Sequence, residues 1–131
     1  MSKTELIFLK DIDRVSNSVV TVGTFDGVHL GHKALIETVV RKAKERNARS
    51  VVISFDPHPR DIINPGSAGI KQLTTIQERR EILEEIGIDV LLIIPFTRDF
   101  SLLSSEEFVK KIVFKRVGVS EFVIGYVFFF F

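Results

Sequence analysis

The chain has 131 residues, 45% of them hydrophobic and 27% charged, with a formal net charge of +1. That length fits one domain with a real core and leaves no room for two ordinary ones. The near-neutral charge gives no support for a nucleic-acid or membrane partner recruited by bulk charge, and the absence of cysteine excludes disulfides and cysteine–zinc sites.

Residues 6–9 form a short apolar stretch, soon broken by Lys10 and Asp11. It is too short for a signal peptide and is expected as an additional edge strand. No apolar run approaches the length of a membrane span, so a soluble, cytoplasmic protein is the expectation. Ser18 to Val22 is β-branched and bounded by Asn17 and Gly23, and reads as a buried strand.

A glycine-rich turn follows, and beyond it Leu35, Ile36, Val39, Val40 and Ala43 fall on one helical face. Lys33, Glu37, Arg41, Lys44 and Glu45 fall mostly opposite, and Asn47 is the expected stop. Residues 50–55 form the second strand. Asp56-Pro57-His58-Pro59 ends it, because each proline removes a backbone donor and restricts the residue before it.

Residues 64–69 are loop-like. Thr75 and Glu78 have capping-box spacing, opening a helix that buries Ile82, Leu83 and Ile86 and ends at Gly87. Arg79 and Arg80 on that helix are expected on the solvated surface. Residues 90–94 are continuously apolar, as in a parallel strand covered on both faces, and Pro95 closes them. Ser104 and Glu107 mark another helix start with Phe108, Val109 and Ile112 inward. Residues 121–125 read as a further strand. Strands and helices alternate, so the fold class is α/β: a Rossmann-like parallel sheet with crossover helices.

The chemistry concentrates in the turn after the first core strand, Gly23-Thr24-Phe25-Asp26-Gly27-Val28-His29-Leu30-Gly31-His32, which holds two of the three histidines. In a doubly wound sheet this turn lies at a carboxyl strand end, where ligands bind. A helix beginning near Gly31 or His32 would aim free N–H groups and its positive dipole end at a phosphate. Gly23, Gly27 and Gly31 allow close backbone approach, and His29 and His32 add side-chain donors. The spacing is neither that of the P-loop, nor the dinucleotide glycine fingerprint, nor the zinc-protease helix. The plainer alternative is a tight strand-to-helix connection whose histidines cap the helix.

This decapeptide resembles the signature of the nucleotidyltransferase superfamily. It is most similar to that of the FAD synthetase module of bacterial riboflavin kinase/FMN adenylyltransferases. Ser54-Phe55-Asp56-Pro57-His58-Pro59, Leu73-Thr74-Thr75 with Glu78-Arg79, the segment from Pro95-Phe96 to Val109, and Val123-Ile124-Gly125-Tyr126 carry the resemblance over roughly residues 18–126.

The resemblance implies transfer of AMP from ATP to FMN, giving FAD and pyrophosphate, with Mg2+ carried mainly by the triphosphate and no dedicated metal ligands. It implies that His29 and His32 hold the ATP phosphates. Gly23, Thr24, Phe25, Asp26 and Gly31 would form the nucleotide-binding turn, with Asp26 shaping it. Phe55, Asp56, Pro57, His58 and Pro59 would border the flavin, against the plainer account that two prolines simply end a strand. Phe96 and Phe100 are expected as core. A different adenylyl- or cytidylyltransferase, or a nucleotide- or flavin-binding fragment without turnover, are the alternatives.

In the family a riboflavin kinase module follows, and Gly125-Tyr126 usually continues Asp-Phe-Arg-Phe-Gly. Here Val127 and four phenylalanines follow instead. The expectation is one nucleotidyltransferase domain over residues 1–131, incomplete at its carboxyl end, with no kinase module.

Overall fold

A computed structural model describes residues 3–23, 25, 30–56 and 75–124. The expected loop at 64–69, Pro57, His58 and Pro59, and the carboxyl-terminal departures after Ile124 lie outside the described residues.

Five strands form one parallel sheet: β1 (Glu5–Phe8), β2 (Ser18–Val22), β3 (Arg49–Asp56), β4 (Val90–Pro95) and β5 (Glu121–Phe122), in spatial order β1-β4-β3-β2-β5. From β2 the chain steps outward through β3 to β4, then returns to place β5 on the other side of β2. The strand order therefore reverses between β2 and β5, which makes the gap beyond their carboxyl ends the topological switch point. The expected edge strand forms as β1, parallel to β4, with Leu6 opposite Leu91.

Side chains alternate between the two faces, and each face has its own core. Helix α1 (Leu30–Arg46) and helix α2 (Ile76–Ile86) cover one face, where Ile36, Val39, Val40, Ala43 and Leu83 meet Val19, Val52, Leu91 and Ile93. On the other face Val20, Val22, Val51, Ile53, Leu92 and Ile94 pack under Ile12, Phe108, Val113 and Val117. The β2, β3 and β4 runs are apolar on both faces because both are covered.

The local signals explain the boundaries. Asn47 stops α1 with φ 53°, in the left-handed region that asparagine tolerates better than most residues. Thr75 caps α2 by accepting from the Glu78 N–H at 3.0 Å, while the Glu78 carboxylate accepts from the Thr75 N–H at 2.9 Å. That backbone bond holds the Glu78 carboxyl below its ordinary range. Gly87 ends α2 at φ 109°, with its N–H donated to Leu83 and Glu84 carbonyls.

Two features go beyond the sequence reading. A single-turn helix α3 (Arg98–Ser101), capped by Thr97, follows β4. Helix α4 (Ser105–Phe108), with the expected Ser104/Glu107 capping box, widens into π-helical turns over Val109–Val117. Gly118 ends them, donating its N–H to Val113 five residues back.

Candidate functional site

The switch point gathers β2, β5 and the start of α1. Beyond Val22, the Gly23 N–H donates to the Ile53 carbonyl at 3.0 Å, so β2 stays tied to β3 as it enters the turn. Opposite, the Val123 N–H donates to the Val20 carbonyl at 2.8 Å and holds β5 against β2. The 17-residue α1 starts at Leu30, one residue ahead of the expected start. Its first turn carries Gly31 and His32 at the end where helical N–H groups lack intrahelical partners.

Phe25 is the described residue between Gly23 and the start of α1. Its ring is 1% exposed and belongs to the α1-side core with Val19 and Ile36. Its backbone has φ 51°, a conformation that costs a non-glycine residue about 1–3 kcal/mol. Burying a phenylalanine returns about 1.5–3 kcal/mol, enough to hold that geometry. The half-buried His32 ring meets Phe25 edge-on, with centroids 5.3 Å apart and planes at 77°. The sequence expectation placed both residues in the nucleotide turn. Phe25 is buried in the core, and His32 at the helix start meets its ring. Thr24, Asp26, Gly27 and His29 lie outside the described residues.

The second expected region begins at the carboxyl end of β3. Phe55 and Asp56 are its described members, both half-buried. Phe55 sits in an aromatic cluster, its centroid 5.3 Å from Phe96, 5.9 Å from Phe100 and 6.4 Å from Phe108. Phe96 and Phe100 are 5.6 Å apart, and Phe100 and Phe108 are 6.0 Å apart. Phe55 and Phe100 pack on the core, but both, like Phe96, keep part of their surface open. The cluster is thus a half-open aromatic shelf beside the ends of β3 and β4. The Phe96 N–H reaches the Asp56 carbonyl at 3.4 Å across the same ends.

The expectation for Arg79 and Arg80 is corrected. They are 1% and 9% exposed, and Arg79 is among the largest fully buried side chains. Arg79 Nη1 donates to Ser54 Oγ at 2.6 Å, and Arg80 Nη1 donates to the Thr4 carbonyl at 3.3 Å and to Glu84 Oε1 at 2.8 Å. Charge suggested solvent, but helical period overrode it. Arg79 lies three residues after Ile76 and four before Leu83, on the inward stripe. That period was the available signal, and Ser54 supplied the acceptor that makes burial tolerable.

Among the described residues no helix is long and apolar enough to cross a membrane, and no three histidine, cysteine or carboxylate side chains gather as metal ligands.

Proteins of known sequence are similar to this chain. A bifunctional riboflavin kinase/FMN adenylyltransferase of Buchnera aphidicola subsp. Schizaphis graminum is 39% identical over 110 residues, covering 84% of this chain and 35% of that protein. Proteins of the same description from Listeria monocytogenes and Escherichia coli K12 are 37% and 33% identical, covering 71% and 82% of this chain and 30% and 34% of theirs. The chain therefore spans about a third of the length of these relatives. A crystal structure described as a macrolide-efflux protein from Streptococcus pneumoniae superposes with a TM-score of 0.83 at 28% identity, over 92% of this chain and 41% of that one. The FAD synthetase family profile matches residues 11–130, a span that includes the Gly23–His32 turn, the aromatic shelf and both walls of the switch point, and the chain belongs to that family.

Proposed function

We infer that the chain takes ATP, as its magnesium complex, and FMN, and transfers AMP to give FAD and pyrophosphate. The observation that carries this reading is His32, set by the buried Phe25 at the α1 N-terminus over the β2/β5 switch point, in a chain of the FAD synthetase family.

An FMN phosphate oxygen attacks the α-phosphorus of ATP in line. A new P–O bond forms as the bond to the bridging oxygen of the β-phosphate breaks, and pyrophosphate leaves. The attacking phosphate is already ionised near neutral pH, so no side chain need remove a proton. Catalysis then consists of positioning and stabilisation of charge on the phosphate oxygens. His32 and His29 donate to the phosphates, and the N–H groups at Gly31 and the helix start complete the cradle. Gly23 and Thr24 admit the nucleotide close to the backbone, and Asp26 shapes the turn. Phe25 serves from beneath as a positioning residue.

On the acceptor side, Phe55, Asp56, Pro57, His58 and Pro59 border the flavin, with the half-open shelf offering an aromatic wall. Mg2+ travels with the triphosphate as part of the substrate. The riboflavin kinase activity in the relatives' names supports a flavin acceptor, since that reaction produces FMN. The same reading gives a cytoplasmic location, one nucleotidyltransferase domain, and no nucleic-acid or membrane partner.

The test is to mix the purified chain with ATP, Mg2+ and FMN and resolve the products by chromatography. FAD together with pyrophosphate is expected. Binding of ATP or FMN without product would make the chain a binding fragment. Turnover with phosphopantetheine or a CTP-dependent acceptor, but not with FMN, would overturn the flavin assignment.

A further inference from the structure

Arg79 poses a question that packing alone does not answer. A side chain that only fills space at this depth is better apolar, because a buried guanidinium loses its hydration. This one is 1% exposed, and its Nη1 donates at 2.6 Å to Ser54 Oγ, which is itself 0% exposed. Arginine holds its charge under nearly all conditions, and its planar fork fixes direction as well as distance.

The place of that bond in the fold is specific. Val22 lies opposite Ile53, so Ser54 is beside Gly23, at the level where β2 gives way to the nucleotide turn. Ser54 also pairs with Ile93 of β4. The next residue, Phe55, points to the other face and carries the aromatic shelf. One hydrogen bond from α2 therefore meets β3 at its last position before the shelf, on the side opposite the aromatic rings. Alternation along the strand makes the two linked: a rotation of the strand at Ser54 swings Phe55 on the other face.

We propose that Arg79 is a positioning residue for the acceptor: through Ser54 it sets the roll of the carboxyl end of β3, and with it the Phe55–Asp56 edge that meets the flavin. This rests on the adenylyl-transfer reading for the identity of the acceptor, but not for the mechanical coupling. The donor side hangs on Phe25, His32 and α1, so the two substrates should respond differently.

The experiment uses the full chain as wild type, Arg79→Lys, Arg79→Met and Ser54→Ala. FMN affinity is read by quenching of flavin fluorescence, the KM values for FMN and ATP by FAD formation, and backbone protection at Phe55 and Asp56 by hydrogen exchange. Arg79→Met and Ser54→Ala are expected to raise Kd and KM for FMN about tenfold while KM for ATP stays within about twofold. Arg79→Lys should recover part of the loss. Exchange at Phe55 and Asp56 should quicken in Ser54→Ala without a matching change at Val20 and Thr21.

If Arg79→Met does not fold, Ser54→Ala keeps the arginine and still breaks the bond. Equal losses for ATP and FMN, or no loss in folded variants, would overturn the proposal. So would unchanged exchange at Phe55 and Asp56. A wild-type chain that ignores FMN, with exchange that still responds to Ser54→Ala, would sink the flavin reading and leave the coupling standing.

Discussion

The two ends of the parallel sheet are built in opposite styles. At the amino ends, polar side chains are tied by hydrogen bonds around an open cleft lined by Glu5, Asp13, Arg49 and Val90. Arg49 donates to Ser18 Oγ at 3.2 Å and to the Asp13 and Val117 carbonyls at 3.2 and 3.0 Å. Burial lowers its guanidinium from the usual range against the opposing pull of Asp13, Glu5 and Asp89, yet an arginine stays charged. The Asp89 carboxylate accepts from the Ser50 N–H at 2.9 Å and its hydroxyl at 3.0 Å. Glu121 takes Lys42 and Arg46, each at 2.9 Å.

At the carboxyl ends the described side chains include a strained phenylalanine, a half-buried histidine and half-open aromatic rings, with the buried Arg79–Ser54 bond on the opposite face of β3. The difference separates groups whose bonds serve the fold from the region where the proposed reading puts the substrates. At the amino ends polar groups pair within the chain, whereas the carboxyl ends present partly open aromatic rings where sheets of this kind bind ligands.

If that division is right, substitutions at the two ends should separate activity from stability. The largest effect is expected from His32→Ala, with a fall in kcat of about a hundredfold or more and little change in Tm. Wild-type turnover in that variant would remove His32 from the chemistry. Phe25→Ala should cross the division, because one ring serves both tasks. We expect a loss of about 3–4 kcal/mol in chemical denaturation, together with loss of FAD formation in whatever remains folded.

Gly118→Ala tests the amino end. A Cβ there would stand 2.3 Å from the Val15 carbonyl oxygen, at φ +88°, so a cost of at least about 2 kcal/mol is expected in the same denaturation experiment. Asp89→Ala should cost about 2 kcal/mol by stranding the buried Ser50 N–H, with KM for ATP and FMN unchanged in the folded fraction. A changed KM would blur the contrast between the ends.

The smallest effect belongs to Glu121→Gln. The hydrogen bond from Lys42, then that from Arg46, holds the Glu121 carboxyl below its ordinary value. A depressed folded pKa gives stability that is present above the ordinary glutamate range and is lost as pH falls through the folded value. Melting curves of wild type and Glu121→Gln should therefore diverge slightly near neutral pH and converge in acid. Parallel curves at all pH values would show that the pair contributes nothing.

Legibility in the sequence followed another line, between local and long-range contacts. The β2, β3 and β4 runs, the α1 stripe and both capping boxes rest on local periods and pairings, and each was readable before any coordinates. The Gly23–His32 turn stood out because two of the three histidines cluster there, while Thr24, Asp26, Gly27, Val28 and His29 lie outside the described residues. Arg79 and Arg80 were misread because charge was weighed above helical period, and because the acceptors Ser54 on β3 and the Thr4 carbonyl just before β1 are distant in sequence. The aromatic shelf was hidden for a similar reason. Phe55, Phe96, Phe100 and Phe108 come from three separate segments and meet only when β3 and β4 pair. The widening of α4 into π-helical turns has no signal in the sequence that we can name.

The position of β1 has a consequence for how the chain is made. Leu6 pairs with Leu91, so β1 finds its partner only after β2, β3 and, among the described residues, helices α1 and α2 have been synthesised. Until then its apolar side chains have no sheet to join, and the order of translation runs against the order of assembly. Folding of this chain should begin in its middle, with β1 arriving late as a seal along the β4 edge.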